Sequence, residues 1–262
     1  MKQLRLFAGL LFSMAIRLVA RYPKLGNILR PIYNHEATKT GIAWVRLLLM
    51  DPCQIRFFIP WYTSLKKTRN AVKDEVPWVT FKAKRWLESF LTPGMNVLEF
   101  GSGGSTIFIA KRVKKLVSVE HDRGWYELTK EALTKNNIHN CQYLLLEPQH
   151  APEGNYKPND PYGFSSSLYP DMSFESYVKS VAAFPDESFD LVFVDGRARP
   201  SCIFHALHKV RFGGYLMLDN SERTRYQAGK DLLKDWEETI FFGPGPYNKD
   251  FWQTSIYNKK SS

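Results

Sequence analysis

The chain has 262 residues, 44% of them hydrophobic and 24% charged, a composition that supports a packed core and argues against disorder over most of its length. Three cysteines without CxxC spacing (Cys53, Cys141, Cys202) argue against a disulfide scaffold or a cysteine zinc site and predict a reducing, cytoplasmic setting. The net charge of +10 lies wholly in the first third, because residues 1–90 hold 16 Lys and Arg against 5 Asp and Glu while residues 91–262 hold 20 against 21. Such asymmetry points to an anionic surface, phospholipid or nucleic acid.

On a helix over residues 2–21, Leu4, Phe7, Leu11, Phe12, Leu18 and Val19 share one face and Lys2, Arg5, Arg17 and Arg21 lie opposite. This pattern predicts an amphipathic cationic helix that lies on a membrane surface or docks on the protein's own core. Its uninterrupted apolar run, residues 6–16, covers about 16 Å, too short for roughly 30 Å of hydrocarbon. Arg17 and Arg21 stand where a signal peptide would need small residues. Residues 22–76, punctuated by Pro23, Gly26, Pro31, Pro52 and Pro60, read as an irregular or helical extension. The expected division is therefore a basic extension, 1–76, followed by a domain, 77–262.

From residue 77 an amphipathic helix carrying Phe81, Trp86, Leu87 and Phe90 leads into alternating strands and helices. Strands are predicted at 96–100, 116–119, 142–146, 190–194, 215–218, 240–242 and 252–257. Helices are predicted at 105–113, 125–136, 174–184, 201–210 and 226–238. This alternation predicts an α/β domain with a mainly parallel sheet, the last two strands pairing as a hairpin. The long segment 147–173, with Tyr156, Tyr162, Phe164 and Tyr169, is expected to be a lid over a site.

Parallel sheets bind ligands at the carboxyl ends of their strands. The first strand ends in Glu99-Phe100-Gly101-Ser102-Gly103-Gly104 and runs straight into a helix. The glycines permit a tight turn and close approach of a ligand to the backbone. A dinucleotide fingerprint would need glycine where Thr106 stands. The second strand ends at Glu120, whose carboxylate can accept both hydroxyls of a ribose. The site therefore suits a nucleoside without a pyrophosphate.

The Glu-x-Gly-x-Gly-Gly turn, the acidic end of the second strand and an antiparallel last strand resemble the class I S-adenosylmethionine (SAM) methyltransferases. The resemblance covers about residues 77–258 and implies a Rossmann-like seven-stranded, mainly parallel sheet with SAM as cofactor. It implies that Gly101, Ser102 and Gly103 approach the cofactor's amino-acid portion and that Glu99 orients its ammonium group directly or through water. It further implies that Glu120 holds the ribose, that His121 and Asp195 border the same pocket, and that Glu147 borders the adenine.

Within the family, Asp195 after the fourth strand and Asp219-Asn220 after the fifth resemble the metal-dependent O-methyltransferases. By that resemblance Asp195, Asp219 and Asn220 would hold Mg²⁺, which would lower the pKa of a substrate hydroxyl, and Asp195 and Asp219 would be the catalytic residues. The chain departs from that subgroup at Ala198, where a lysine base is expected, and in the flanking Arg197, Arg199, Arg223 and Arg225. These arginines could instead neutralise the two carboxylates or bind an anionic acceptor, and both carboxylates could simply cap turns and helices. His205 and His208 share a helix face but lack a third metal ligand. No general base is identified.

The expected activity is methyl transfer to a hydroxyl of a small molecule, sugar or lipid-linked glycan, with the extension covering the site or holding the enzyme to a membrane. Two rivals stand beside it. One is a nucleic-acid methyltransferase using the basic arm, which the apolar face of residues 2–21 disfavours. The other is a SAM-binding protein without transfer activity.

Overall fold

The computed structural model describes residues 36–151, 157 and 159–260. The helix expected over 2–21 and Tyr156 lie outside these residues. Seven strands form the main sheet: β1 (Asn96–Phe100), β2 (Lys115–Glu120), β3 (Cys141–Leu145), β7 (Phe189–Val194), β8 (Val210–Asp219), β9 (Glu237–Gly243) and β10 (Trp252–Asn258). Their order is β3-β2-β1-β7-β8-β10-β9. The ladders from β3 to β8 are parallel, and β10 runs antiparallel to both β8 and β9. This is the Rossmann-like, mainly parallel sheet with an antiparallel last strand that the sequence predicts.

The central strands read as apolar runs because helices cover both faces. Leu98, Phe100, Val117, Val119, Val192 and Val194 pack to one side, with Phe174, Tyr177 and Ile203. Val97, Leu116, Leu191, Phe193 and Met217 pack to the other, with Leu87, Phe108 and Ile109.

Among the described residues the α-helices are α1 (Glu36–Met50), α2 (Phe58–Ser64), α3 (Ala71–Asp74), α4 (Phe81–Phe90), α5 (Gly104–Ala110), α6 (Arg123–Lys135), α7 (Glu175–Lys179), α8 (Arg199–Ala206) and α9 (Gln227–Asp231). Four predicted helices are shortened: those expected over 105–113 and 174–184 end at Ala110 and Lys179, and two others yield residues to strands. The helix expected over 226–238 ends at Asp231, because residues 237–243 are all used in pairing with β10. Leu233 and Trp236 reach the core through turns instead. The helix expected over 201–210 yields Val210 to β8, the start of a strand much longer than predicted. Pro200 is tolerated at the first turn of α8, where no helical N–H partner is lost.

The segment expected as a lid has structure of its own. It forms a small antiparallel sheet of β4 (Gln149–His150), β5 (Ser165–Ser166) and β6 (Tyr169–Ser173), in the order β4-β6-β5.

The described part of the extension is packed onto the sheet. Trp44, Leu47, Phe57 and Trp61 enclose Phe81 at the head of α4. Gln54 donates to the Phe242 carbonyl at 3.1 Å, and the Trp61 indole donates to the Asn248 carbonyl at 2.8 Å. On the other side, a Cβ on Gly104 would lie 2.1 Å from the Ala71 carbonyl oxygen, so glycine there lets α3 seat against the start of α5. Among the described residues no helix is long and apolar enough to cross a membrane.

Candidate functional site

The carboxyl ends of β1, β2, β7 and β8 open into a cavity of about 550 Å³. Its floor is two turns packed back to back. Gly101 has φ 91°, and a Cβ there would lie 2.7 Å from both Cα and N of Gly196. The turn after β1 can therefore meet the turn after β7 only if residue 101 is glycine.

Glu120 lines this cavity and is 2% exposed. Its Oε2 accepts the amide and the hydroxyl of Ser102, each at 2.8 Å. Its Oε1 accepts the amides of His121 and Asp122 at 2.7 and 2.9 Å, and His121 Nδ1 stands 2.8 Å away. Burial pushes the carboxyl's pKa up, but His121 and the Asp122 amide outweigh it and hold the group below its ordinary value. Glu120 is thus a fixed carboxylate. A carboxylate has about four acceptor sites, and these bonds fill them, so a diol would take the place of the Ser102 hydroxyl, which Tyr143 also bonds.

Gly101, Ser102, His121 and Asp195 all line the cavity. Three expected cofactor residues do not. Glu99 is fully buried behind the turn, where its Oε2 accepts the hydroxyls of Thr106 and Ser118, each at 2.6 Å. Burial raises its pKa to about 7 against the pull of the Ser105, Ser118 and Thr106 hydroxyls. Thr106 in turn accepts the Gly103 amide at 2.9 Å, so Glu99 pins the glycine turn from within. Gly103 is covered by Trp125, whose ring lies 3.2 Å from where a Cβ would stand. Glu147 is half-exposed and pairs with Arg123 on the surface, because β3 ends two residues earlier and the chain turns outward.

The expected magnesium site of Asp195, Asp219 and Asn220 is built differently. The Arg199 side chain, 6% exposed, is inserted between the two aspartates. It donates to the Asp195 carboxylate at 2.9 Å, to the Asp195 carbonyl at 2.8 Å, to the Gly196 carbonyl at 3.0 Å and to the Asp219 carbonyl. Asp219 Oδ1 accepts Trp252 Nε1 at 2.9 Å and Thr254 Oγ1 at 2.7 Å. Asn220 lines the cavity in a left-handed turn, φ 50°. Arg199 already occupies the Asp195 carboxylate, and Trp252 and Thr254 occupy Asp219 Oδ1, so this donor set does not fit Mg²⁺. Among the described residues no group of three His, Cys, Asp or Glu could hold a metal ion. Burial, then repulsion from Asp219, raise the Asp195 pKa well above the usual carboxylate range despite Arg199.

Arg197 and Arg223 also line the cavity. Arg197 lies over the Tyr169 ring and donates to His121 Nε2 at 3.4 Å. Arg223 stands 3.9 Å from the Glu222 carboxylate. Arg225 faces away and donates to Ser167. His205 and His208 are not in the cavity lining, and His205 packs beside Phe164 and Phe204.

The sequence reading missed Trp78, Trp125, Asn248 and Trp252 in the cavity wall. Trp125 had a local signal, since Asp122 caps α6 by accepting the Trp125 amide at 2.7 Å and so aims that first turn at the glycine loop. Trp78 and Trp252 come from opposite ends of the domain and had none. Of the tyrosines expected in a lid, Tyr169 reaches the cavity and Tyr162 is exposed.

No known family model matches the chain. A 44-residue stretch, 17% of the chain, is 48% identical to a probable cobalt-precorrin-6B C(15)-methyltransferase of Methanocaldococcus jannaschii, and spans about a quarter (24%) of that protein. Solved structures with a similar fold include the O-methyltransferase TomG of Streptomyces achromogenes in complex with SAM, 18% identical over 64% of this chain and 74% of that one, TM-score 0.46. They also include a putative O-methyltransferase of Klebsiella pneumoniae, 18% identical over 81% of this chain and 96% of that one, TM-score 0.49. A tRNA (m1A58) methyltransferase of Aquifex aeolicus is 11% identical over 71% of this chain and 72% of that one, TM-score 0.45. At these values the structural likenesses add nothing to the topology already described.

Proposed function

We propose that this chain is a SAM-dependent methyltransferase acting on a hydroxyl group of a small molecule, sugar or lipid-linked glycan. The observation that carries the reading is the Glu120 carboxylate, held ionised in the cavity wall by the Ser102, His121 and Asp122 amides beside the Gly101 turn. A fixed anion at the end of the second strand suits a ribose diol. The cavity of about 550 Å³ falls within the usual range for small-molecule sites. The chemistry of this donor set fits SAM: Glu120 for the ribose, the Gly101–Ser102 turn for the amino-acid end, and the rings of Trp78 and Trp125 for apolar contact.

Bound SAM would supply an electrophilic methyl group whose transfer breaks the C–S bond, leaves the electron pair on sulfur and forms a C–O bond. Asp195 lies in the cavity with a raised pKa and one oxygen held by Arg199, and so serves as the acceptor of the hydroxyl proton. Arg197 and Arg223 favour an acceptor that itself carries an acid group. Holding the two reactants in line accounts for much of the rate, since orientation alone can supply about 7–11 kcal/mol.

Calorimetric titration of the full chain with S-adenosylhomocysteine tests the cofactor half, with Glu120→Ala as control. Heat from the wild type and none from the variant is the expected result; no heat from either ends the proposal. Incubation of the enzyme with isotopically labelled SAM and a metabolite and lipid extract, read by mass spectrometry, tests the acceptor. Label in an acidic hydroxyl compound is expected. Label in RNA would move the reading to a nucleic-acid methyltransferase, and absence of label to a binding protein.

A further inference from the structure

Residues 42–62 present a second apolar surface that the sheet does not use. In α2 and the turn before it, Phe57, Trp61 and Ser64 face inward and are buried. Ile55, Phe58, Ile59 and Tyr62, at the i, i+3, i+4, i+7 spacing of one helical face, point outward. Ile59 is 65% exposed and Tyr62 is 61% exposed. On α1, Trp44 and Leu47 are buried while Val45 and Leu49, one turn apart, are exposed. The edge contact between Trp44 and Phe58, ring centroids 5.2 Å apart, joins the two helices. A helix that is apolar all round is normally covered on both sides, and a contiguous exposed apolar patch marks an interaction surface.

The charge around the patch selects its partner. Residues 39–69 carry six basic side chains, among them the exposed Arg56, Lys66 and Lys67, against one acid, Asp51, which is paired with Lys82; of the six, Arg69 is paired with Asp74. Residues 1–35, which lead into α1, carry six more basic residues and no acid. Apolar side chains flanked by excess Lys and Arg, with an exposed tyrosine at the edge, match the boundary between anionic headgroups and acyl chains. The patch is also close to the cavity, since Trp61 on the inner face of α2 bonds Asn248, which lines it.

We propose that α1 and α2 form a membrane-docking face that sets residues 45–62 into the interface of an anionic phospholipid bilayer, beside the cavity mouth. The inference does not depend on the transfer chemistry. Flotation of the full chain with vesicles tests it, using phosphatidylcholine alone and phosphatidylcholine with about one third phosphatidylserine. The full chain is expected to float with the anionic vesicles and to remain largely unbound with the neutral ones. Ile55→Asp with Ile59→Asp should lower the bound fraction at least about fivefold, a loss consistent with removing two buried aliphatic side chains, with melting temperature unchanged. Three results would overturn the proposal. They are no flotation of the wild type, flotation of the double variant equal to the wild type, and a wild-type dimer in light scattering that the double variant converts to monomer. The last would assign the face to a second copy of the chain.

Discussion

The guanidinium of Arg199 bonds both the side chain and the main chain of Asp195, at 2.9 and 2.8 Å. It also reaches the Asp219 carbonyl, so one cation ties the ends of β7 and β8 together. Arg199→Met should therefore destabilise the fold by roughly 3–5 kcal/mol, because the partly buried Asp195 carboxylate and the buried Asp219 carboxylate lose their counter-charge. Arg199→Lys should recover only part of this, since an ammonium cannot reproduce the planar fork that serves four acceptors. Urea unfolding of the three proteins measures both effects.

The same guanidinium bonds Asp195, which the metal-dependent resemblance would make a ligand. Transfer activity should be unchanged by a chelator, and magnesium should give no heat on titration into the protein. Activity lost to the chelator and restored by magnesium would mean that Arg199 moves out of the site on substrate binding.

Glu120 makes a different prediction. Glu120→Gln keeps the shape but leaves the Ser102, His121 and Asp122 amides competing for one carbonyl oxygen, and Glu120→Ala removes every acceptor. Affinity for S-adenosylhomocysteine should fall at least tenfold, about 1.4 kcal/mol, in the first and further in the second. Ser102→Ala, which removes a hydroxyl but not the amide bond, should change it less.

The pH dependence of the rate follows from Asp195. Its carboxyl must be ionised to accept a proton, and burial and Asp219 raise its pKa. The rate should therefore climb with pH through a limb that lies above the ordinary aspartate value of 3.8. Asp195→Asn should remove that limb and slow transfer by about 10²–10⁴-fold, the usual contribution of a general base. A profile unchanged in the variant would assign the proton to another group.

Glu99 makes stability depend on pH. Its pKa rises from 4.5 in the unfolded chain to about 7 in the fold, so the folded state favours the protonated form. That stabilisation is complete below pH 4.5 and is lost as pH rises towards 7, a change of roughly 3 kcal/mol. Glu99→Gln should flatten the stability profile between those values. Chemical denaturation at a series of pH values measures the slope.

Much of this site was legible along the chain. Gly101 could be recognised because only glycine suits the φ 91° turn that ends a buried strand. Glu120 could be recognised because an acid closing an apolar run needs partners, and the turn amides supply them. The lid was only partly legible, because β4, β5 and β6 are strands of two to five residues with little periodic signal. The direction in which Glu99 points was not legible. Its position in the motif is the same whether it faces a ligand or Thr106, and only the direction of the strand pleat separates the two.

The amino-acid sequence by itself determined the order of strands and helices, the glycine turn and the acidic strand end, because each rests on interactions between near neighbours. Tertiary structure decided which charges meet. Arg199 bonds the Asp219 carbonyl across 20 residues, and Trp252 bonds the carboxylate of the same residue from 33 residues away. Sequence spacing cannot say whether an aspartate faces a metal, an arginine or a cap. That choice is made by packing, when adjacent parallel strands bring distant side chains into one buried volume where each charge must find its partner.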